Sequence, residues 1–446
     1  MLKAGAAKVD ISPRPGVALA GGFRPVVARS VHDPLHCRAL VLDDGRCPLA
    51  LATCDLIVIQ REDVLRVKEE IRRRIGLPPE QVMLAATHTH SAPAPAGLLG
   101  TDREDAYMDW ALPRMAEAVV RAWQARRPAR AGWGTGEAPG HVFNRRFRMK
   151  DGTVRTNPGS QNPDALAPVG PVDPQVALLA VVDGADGSPL AAVGNYALHY
   201  VGGVGPGHVS ADYFACVEQA VNGLMGADFP LLWTNGFCGD VNNNDVFRPR
   251  EPAAPYERMR SVAASVGQAA EGIWRGMEFA EEAPLAAALA DLPVRRRVST
   301  PEELEQARAV MAHPAGEDDP GRERAYAREA LLLADWPEEE VAPVQALRVG
   351  GLGIAALPGE MFAEYGLDIK RRSPFAATMA VELANGYAGY LPAPKAFEEG
   401  GYETRLARSS RLAPQAGPAM CEKALELLMG LHDAPPARRG EEANQG

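Results

Sequence analysis

Short apolar runs that alternate with helical segments are the feature that most constrains the fold. Five such runs lie in the first half of the chain, at Cys37–Leu42, Pro48–Thr53, Val82–Ala86, Val176–Val182 and Leu190–Leu198. Helical periodicity is present at Asp63–Arg73, Glu104–Arg126, Ser210–Leu224 and Pro255–Arg275. This alternation is typical of an α/β domain whose helices cover a sheet. Ser210 or Asp212 is the expected cap of the third helix, and Pro113 is expected to kink or restart the second.

The second half adds strands and a helical hairpin. Strand-like runs occur at Ala283–Val298, Val344–Leu357 and Ala376–Leu383, with a last helix near Met420–Leu428. Thr300 before Pro301 and Glu303 is a helix-start pattern, and helices at about 301–312 and 322–334 flank a polar loop. We predict one α/β domain, residues 1–433, with a mixed β-sheet core flanked by helices and a helical surface insertion near 300–335. Residues 434–446 are predicted to be a disordered tail.

Charge and composition exclude several classes of function. The net charge is −10 and no basic block is present, so nucleic acid is not an expected partner. No apolar run reaches the roughly 18 residues of a membrane helix, so stable membrane insertion is not expected. The segment Met1–Pro13 lacks the apolar region of a signal peptide, which predicts a cytoplasmic protein. The six cysteines are scattered without a C-x-x-C pair, which argues against a disulfide framework or a cysteine zinc site.

Histidines and a glutamate follow the ends of predicted strands. His88 and His90 come after Val82–Ala86, and alternation along extended chain points both side chains the same way. Imidazole is a common zinc ligand, although a surface or capping pair fits this motif equally well. His199 closes a second strand and Glu360 a third. A structural histidine and a helix-start glutamate are the alternatives for these two residues.

A small, amide-rich segment follows the strand Leu231–Thr234. It runs from Asn235 to Asn244 and contains Asp240 and Cys238. Such a turn could direct backbone N–H groups or a carboxylate at a substrate, and a plain Asn/Gly turn is the alternative. Cys238 is interpreted as a buried thiol, because no neighbouring sequence feature lowers its pKa.

Several motifs in order resemble the catalytic domain of the neutral ceramidase family, zinc amidases that cleave N-acyl sphingosines. The likeness covers Ala4 to about Arg408. It rests on Ala-Lys-Val-Asp-Ile-Ser-Pro (7–13), His-Asp-Pro-Leu-His-Cys-Arg-Ala-Leu-Val (32–41), Thr-His-Thr-His-Ser (87–91) and Leu-Pro-Gly-Glu (357–360). Tyr390 and Tyr402 keep the family's spacing between two active-site tyrosines.

The resemblance implies a metal site and a set of catalytic groups. The implied zinc ligands are His88, His199, Glu360 and Tyr390. His90 would lie beside the metal and stabilise an oxyanion or move a proton. Arg145 and Tyr402 match a substrate-contacting arginine and the second tyrosine. Zinc with an open position polarises carbonyls and acidifies water, and such donors stabilise a tetrahedral oxyanion.

One departure from the family pattern changes the expected chemistry. Asn242 stands where the family has its proposed nucleophilic serine, so we predict direct attack by zinc-bound water, with Asp240 as a candidate base. The family's C-terminal immunoglobulin-like domain and signal peptide are also not expected in residues 1–446. Both points favour a small soluble N-acyl substrate over ceramide itself.

Three functional hypotheses are consistent with the sequence. The first is zinc-dependent hydrolysis of an amide C–N bond, and the second is ester, lactone or sugar-derivative hydrolysis at the same site. The third is a non-catalytic protein that kept the zinc, which Asn242 motivates. A metal-dependent TIM-barrel amidohydrolase is a fold alternative, but its His-x-His pair usually lies at the first strand.

Overall fold

Two β-sheets packed face to face form the core of the computed structural model, which describes residues 1–24, 26–250, 252–313 and 322–433. The larger sheet has eight strands and the smaller has four. In spatial order, the larger sheet contains Leu231–Asn235, Pro189–Tyr196, Gln175–Asp183, Arg127–Glu137, Lys3–Asp10, His36–Asp43, Leu49–Cys54 and Val82–Ala86. The smaller contains Leu285–Arg295, Glu339–Val349, Leu352–Ala356 and Ala377–Val381.

Burial of both sheet faces explains the continuous apolar runs in the sequence. Along His36–Asp43, Cys37 and Val41 face the outer helices, whereas Leu40 and Leu42 face the smaller sheet. Successive side chains on a strand point to opposite faces, so a strand covered on both sides is apolar at nearly every position. The sheet-on-sheet contact therefore fixes which residues can occupy these strands.

The larger sheet consists of two four-stranded halves with a narrow junction. Only Lys3–Pro128 and Ala4–Arg127 pair across it. The strand Leu231–Asn235 at one edge nevertheless contacts His36–Asp43 and Leu49–Cys54 of the other half. The sheet is thus folded back on itself, and this brings residues from both halves to one place.

Helices cover the outer faces of both sheets, giving a helix–sheet–sheet–helix order of layers. Four pack on the larger sheet, and two pack on the smaller. The nine α-helices of the described residues are Arg61–Ile75, Asp105–Gln124, Asp212–Met225, Glu257–Arg275, Pro301–Ala312, Arg322–Leu333, Ala363–Arg372, Pro394–Glu399 and Ala416–Asp433. Within the same residues, none of these helices combines the length and apolar character needed to cross a bilayer.

Short elements complete the fold and shape the loops around the site. Three 3₁₀ helices lie at Pro79–Gln81, Pro139–His141 and Tyr402–Thr404. The remaining strands are short: Ala18–Leu19, Val26–Val27, Ser30–Val31, Phe143–Asn144, Arg146–Met149, Val154–Thr156, Ala165–Pro168, His208–Val209, Val241–Asn242, Glu360–Met361 and Tyr390–Leu391.

The predicted fold class is confirmed, and so is the helical insertion. The helices Pro301–Ala312 and Arg322–Leu333 pack on each other. Thr300 caps the first one, accepting from the Glu303 amide at 3.2 Å while its own amide donates to that side chain at 2.8 Å. The predicted polar loop (314–321) and tail (434–446) lie outside the described residues. The single-domain boundary at residue 433 stays a prediction.

Four local predictions were wrong or incomplete. The run Val344–Leu357 is two strands, because Gly350 adopts φ 59° and reverses the chain between them. The strands Lys3–Asp10 and Arg127–Glu137 were missed. One helix runs through Pro113 without a restart. The N-cap of the helix Asp212–Met225 is Ala211, which has no capping side chain, although the Ser210 hydroxyl accepts from the Asp212 amide at 3.0 Å.

A buried arginine gives a test of what holds the larger sheet to its helices. Arg38 is 3% exposed, and its guanidinium lies 2.7 Å from Asp55 and 2.8 Å from Glu218. Arg38→Met leaves the buried Asp55 carboxylate without this counter-charge and Glu218 with only the partly exposed Lys8, 3.4 Å away. The free energy of unfolding in urea should therefore fall by about 3–5 kcal/mol. Arg72→Met removes an exposed ion pair with Glu69 and should change nothing measurable. Equal effects of the two substitutions would contradict this view of the core.

Candidate metal and active site

The predicted ligands come from three separate parts of the fold and meet at one edge. His88 follows a strand in one half of the larger sheet, and His199 follows a strand in the other half. Glu360 follows a strand of the smaller sheet, after a turn. Each of these strands has a parallel neighbour, and the carboxyl ends of parallel strands are where α/β proteins place ligands.

Three imidazoles form the centre of the site. Nε2 of His90 lies 3.3 Å from Nε2 of His88 and 3.2 Å from Nε2 of His199. Burial lowers the pKa of His90 to about 3, and burial together with Arg145 holds the pKa of His199 well below its usual value. Both rings are therefore neutral near pH 7, which is the form that binds a metal ion.

Hydrogen bonds to backbone carbonyls orient two of the rings. His88 Nδ1 lies 2.7 Å from the Ile57 oxygen, and His90 Nδ1 lies 3.3 Å from the Gly21 oxygen. A carbonyl only accepts, so each Nδ1 donates, and a ring in its neutral form keeps a lone pair on Nε2. Burial opposes a charge on His88, but Glu360 raises the pKa of His88 above its usual value, so the space beside its Nε2 favours a positive charge. When both rings are neutral, two lone pairs face each other at 3.3 Å. This arrangement favours a cation between or beside them.

Glu360 supplies a carboxylate oxygen without a partner. Its Oε1 accepts from the Tyr387 hydroxyl at 2.9 Å. Its Oε2 is buried and has no hydrogen-bond partner among the residues that the structure describes. That oxygen lies 3.5 Å from His88 Nε2 and 3.9 Å from His199 Nδ1. Burying an unpartnered carboxylate oxygen is costly, so the residues present fit a divalent cation bound between Glu360 and the histidines.

Tyr390 lies directly beside Glu360. The two residues pair in a short parallel ladder, so their positions are fixed relative to each other. Burial raises the pKa of the Glu360 carboxyl, but the neighbouring His88 and Tyr390 outweigh it, and the net pKa lies below the usual value. The Glu360 carboxylate is therefore ionised at neutral pH, as a metal ligand must be.

Arg145 is a buried cation that connects the histidines to the surrounding loops. It is 4% exposed. Its Nη1 donates to His199 Nδ1 at 3.1 Å, its Nη2 to the Gly239 oxygen at 2.6 Å, and its Nε to Glu403 Oε1 at 2.8 Å. Burial opposes its charge, but Tyr390 and Glu403 raise the pKa of Arg145 well above the usual value. The guanidinium is thus a fixed positive charge beside the metal site.

Tyr402 forms part of the wall of the same pocket as Tyr390 and Glu360. Its ring centroid lies 5.4 Å from that of Tyr390 and 6.1 Å from that of Phe23. Phe23 in turn contacts Tyr326 at 5.9 Å, on the second helix of the insertion. The insertion therefore reaches the site through a row of aromatic side chains, a role that the sequence did not indicate.

Two cavities differ sharply in size at this edge. The first has a volume of about 40 Å³ and is lined by His88, His90, Glu360, Tyr390 and Tyr402, together with small and apolar residues. The second has a volume of about 1100 Å³, and Arg145 and Asn242 line it. Arg145 thus separates the metal pocket from a much larger space.

The structure places Asp240 and Asn242 beside Arg145 rather than among the histidines. Asp240 accepts from Asn144 Nδ2 at 2.7 Å and from the Ala363 amide at 2.8 Å, and burial raises its pKa to about 6. Asn242 donates to Asn157 and lines the larger cavity. The catalytic roles of Asp240 and Asn242, like those of His90, Arg145 and Tyr402, stay predictions.

Asp212 holds the histidine loop and was missed as a site residue. Its carboxylate accepts from the His90 amide at 2.8 Å, the Thr89 hydroxyl at 2.9 Å and the Ser91 hydroxyl at 3.1 Å. The same loop places His88 at φ 72°, a left-handed conformation that non-glycine residues rarely adopt. Three bonds to one carboxylate help to keep this loop in place.

Two more buried carboxylates support the site without touching the imidazoles. Glu403 binds Arg145 and Arg146, and it accepts from Thr156 at 2.7 Å. Glu382 accepts from the Met361 amide at 3.0 Å and from the Cys238 thiol at 2.9 Å. Burial raises the pKa of Glu382 to about 8 and raises that of Cys238 well above its usual value. Cys238 is accordingly a buried, protonated thiol rather than a nucleophile.

Comparisons with known proteins support the fold. No family model matches the sequence, and no curated protein matches it either. A crystal structure of neutral ceramidase from Pseudomonas aeruginosa matches with a TM-score of 0.72 and 19% identity, covering 98% of this chain and 76% of that chain. The chain has the neutral ceramidase fold. A structure of a ceramidase complexed with C2 gives a TM-score of 0.74 at 18% identity, with the same coverage.

The fold result confirms the resemblance that the sequence motifs indicated. The neutral ceramidase fold covers nearly the whole described chain, so the ordered motifs are matched by a common architecture. The triad of His88, His90 and His199 could hold a metal ion. The identity of that ion and the reaction are separate questions.

Metal content tests the predicted ligands directly. Incubated with zinc after purification without a His-tag, the wild type should hold about one ion per chain and His88→Ala should hold none. The reason is that His88 Nε2 and Glu360 Oε2 face each other at 3.5 Å with no other partner for the oxygen among the described residues. His432→Ala, at an exposed histidine, is the control and should keep the zinc. Elemental analysis measures both, and equal zinc in the two variants would exclude His88 as a ligand.

The Asp212 contacts predict an effect on metal affinity. Asp212→Asn removes an acceptor from the histidine loop, so zinc affinity should fall by about 10- to 100-fold, the usual effect of losing such a supporting group. Asp228→Asn, just beyond the other end of the same helix, is the control, because Asp228 is exposed and accepts a hydrogen bond from Asn222 rather than from the histidine loop. Competition with a chromogenic chelator measures both affinities. An unchanged affinity in Asp212→Asn would show that the loop does not need this carboxylate.

Proposed function

We propose that this protein is a zinc-dependent hydrolase that cleaves the C–N amide bond of a small, soluble N-acyl substrate. The observation that supports this most is the convergence of His88, His199 and the unpartnered Glu360 oxygen. Tyr390 completes the proposed ligand set. A zinc ion held there would polarise the substrate carbonyl and acidify water.

The groups around the proposed ligands suit amide hydrolysis. Arg145 is fixed by three hydrogen bonds and carries a permanent charge next to His199. Together with the Tyr402 hydroxyl, it would stabilise the negative charge that develops on the carbonyl oxygen. Because these donors are already held in place, little reorganisation is needed during the reaction.

His90 is the proposed group for proton transfer. Its pKa of about 3 leaves the ring unprotonated at neutral pH, and its Nε2 faces the other two imidazoles. Its Nδ1 is held by the Gly21 carbonyl at 3.3 Å. His90 would accept a proton from the attacking water and pass it to the leaving nitrogen.

In this proposal Asp240 is not a general base, and Asn242 is not a nucleophile. Asp240 uses both carboxylate oxygens on Asn144 and Ala363, and its backbone oxygen accepts from the Arg145 amide at 2.8 Å. We infer that Asp240 positions Arg145. Asn242 has no nucleophilic atom, so the reaction would proceed by direct attack of water.

Ester or lactone hydrolysis at the same site is a second candidate. Asn242 favours it, because a route without a covalent serine intermediate serves esters as readily as amides. A shared site predicts that both activities need the same residues. Relative rates on matched substrates therefore decide between the two functions.

The test is a panel of matched N-acyl amides, esters and lactones with the zinc-loaded protein. We expect amide cleavage that Glu360→Gln reduces by about 100-fold or more, since it removes a charged ligand. The His432→Ala variant should keep full activity. Cleavage of esters alone would replace the first candidate by the second. Zinc binding without turnover on any member would indicate the non-catalytic alternative.

A further inference from the structure

The larger cavity carries an excess of positive charge. Two carboxylates, Asp245 and Glu257, line it, and so do four arginines: Arg145, Arg248, Arg250 and Arg258. The chain as a whole has a net charge of −10, so this excess runs against the charge of the molecule. A local surplus of arginine on an acidic protein favours an anionic ligand.

The small metal pocket leaves no room for the rest of a substrate. One water needs roughly 10–15 Å³ of such space, and the pocket measures about 40 Å³. An ion, a water and the reacting carbonyl would fill it. The remainder of any substrate must therefore lie elsewhere, and the adjoining cavity of about 1100 Å³ is large enough.

Arg145 lies between the two spaces, with its guanidinium carbon 5.3 Å from the ring centroid of Tyr390, which lines the metal pocket. It lines the large cavity, and its Nη1 contacts His199 at 3.1 Å. Asn242 lines the same cavity, and Val201 and Gly202, which follow His199 in the chain, form another part of its wall. A molecule with its carbonyl at the metal pocket would thus extend past Arg145 into the large cavity.

The arginines of the large cavity differ in how many hydrogen bonds and ion pairs they already form with other protein groups. Arg145 is committed to three partners, and Arg248 lies 3.3 Å from Asp245. Arg258 donates to Asn244 Oδ1 at 2.8 Å and to the Asn243 oxygen at 2.7 Å, which leaves its charge uncompensated. Arg250 is exposed and has no hydrogen bond or ion pair within the described part of the chain.

The geometry points to an anionic substrate: an N-acyl compound whose carboxylate or phosphate binds in the large cavity beside Arg250 and Arg258. This inference rests on the proposed amide hydrolysis and specifies its substrate class. The planar guanidinium fork matches both anions and can donate two hydrogen bonds to either. Because the arginines are partly exposed, the preference should weaken as ionic strength rises.

Matched pairs of substrates test the charge requirement on the zinc-loaded protein. N-acetyl-L-glutamate is compared with its neutral diamide, and N-acetylglucosamine 6-phosphate with N-acetylglucosamine, by following the amine released from the acetyl group. At low salt we expect kcat/KM about tenfold higher for the charged member of at least one pair, which corresponds to one charge-assisted contact. The pair that responds identifies carboxylate or phosphate as the anion. Equal kcat/KM within both pairs, or cleavage of other amides with none of these, would overturn the inference.

Substitution of a cavity arginine locates the effect. Arg250→Gln should lower the charged-over-neutral preference by about two- to fivefold, the range expected for one exposed contact, through a fall in kcat/KM for the charged member. Arg260→Gln is the matched control, because Arg260 is exposed on the helix Glu257–Arg275, which also carries Arg258, but does not line the cavity. Equal effects of the two substitutions would show a general charge effect and contradict a site in the cavity.

A binding measurement separates this inference from the proposed function. Thermal shifts with both pairs of compounds should show greater stabilisation by the charged than by the neutral member of at least one pair, and Arg250→Gln should reduce this difference. If no amide is cleaved but this binding persists, the proposed hydrolysis fails and the anion site stands. If amides are cleaved and neither binding nor turnover depends on charge, the anion site fails and the hydrolysis stands.

Discussion

The buried guanidinium of Arg145 holds together the segments that form the site. Its three hydrogen bonds reach His199, the Gly239 carbonyl and Glu403, which lie far apart in the chain. A buried arginine without such partners would destabilise the fold by several kcal/mol. Its need for compensation therefore fixes three loops relative to one another. Glu403 extends the network to Arg146 and Thr156, so the strand at Arg146–Met149 is tied to the same point.

Burial disfavours the charged form of every ionisable group of the site, and the neighbouring groups decide which form each adopts. It keeps His90 and His199 neutral, whereas the contacts of Glu360 with His88 and Tyr390 keep that carboxylate charged. For Glu382, burial outweighs its hydrogen bond from Cys238 and the charge of His88, and its pKa rises to about 8. Neutral imidazoles around a charged carboxylate are the combination that a divalent ion requires.

The strands covered on both faces could be predicted from the sequence, because their apolar runs are continuous. Lys3–Asp10 could not, since its alanines, glycine and lysines carry little strand preference and its place depends on pairing with His36–Asp43. Gly350 divides an apolar run that looks like one continuous strand in the sequence. The histidines were visible because they follow strands, whereas Tyr390 and Tyr402 were assigned only by resemblance. Asp212 and Glu403 had no local signal, because they act on residues more than 100 positions away.

The meeting of two sheets at the site also has a consequence for biosynthesis. His88 is made early, but Glu360 and Tyr390 follow strands of the smaller sheet, and the Arg145 counter-charge, Glu403, follows later still. An emerging polypeptide cannot assemble the full set of ligands until nearly all of the described residues have left the ribosome. Capture of an ion would thus be one of the last events in maturation, and a prematurely terminated product ending before Glu360 would contain only the histidines.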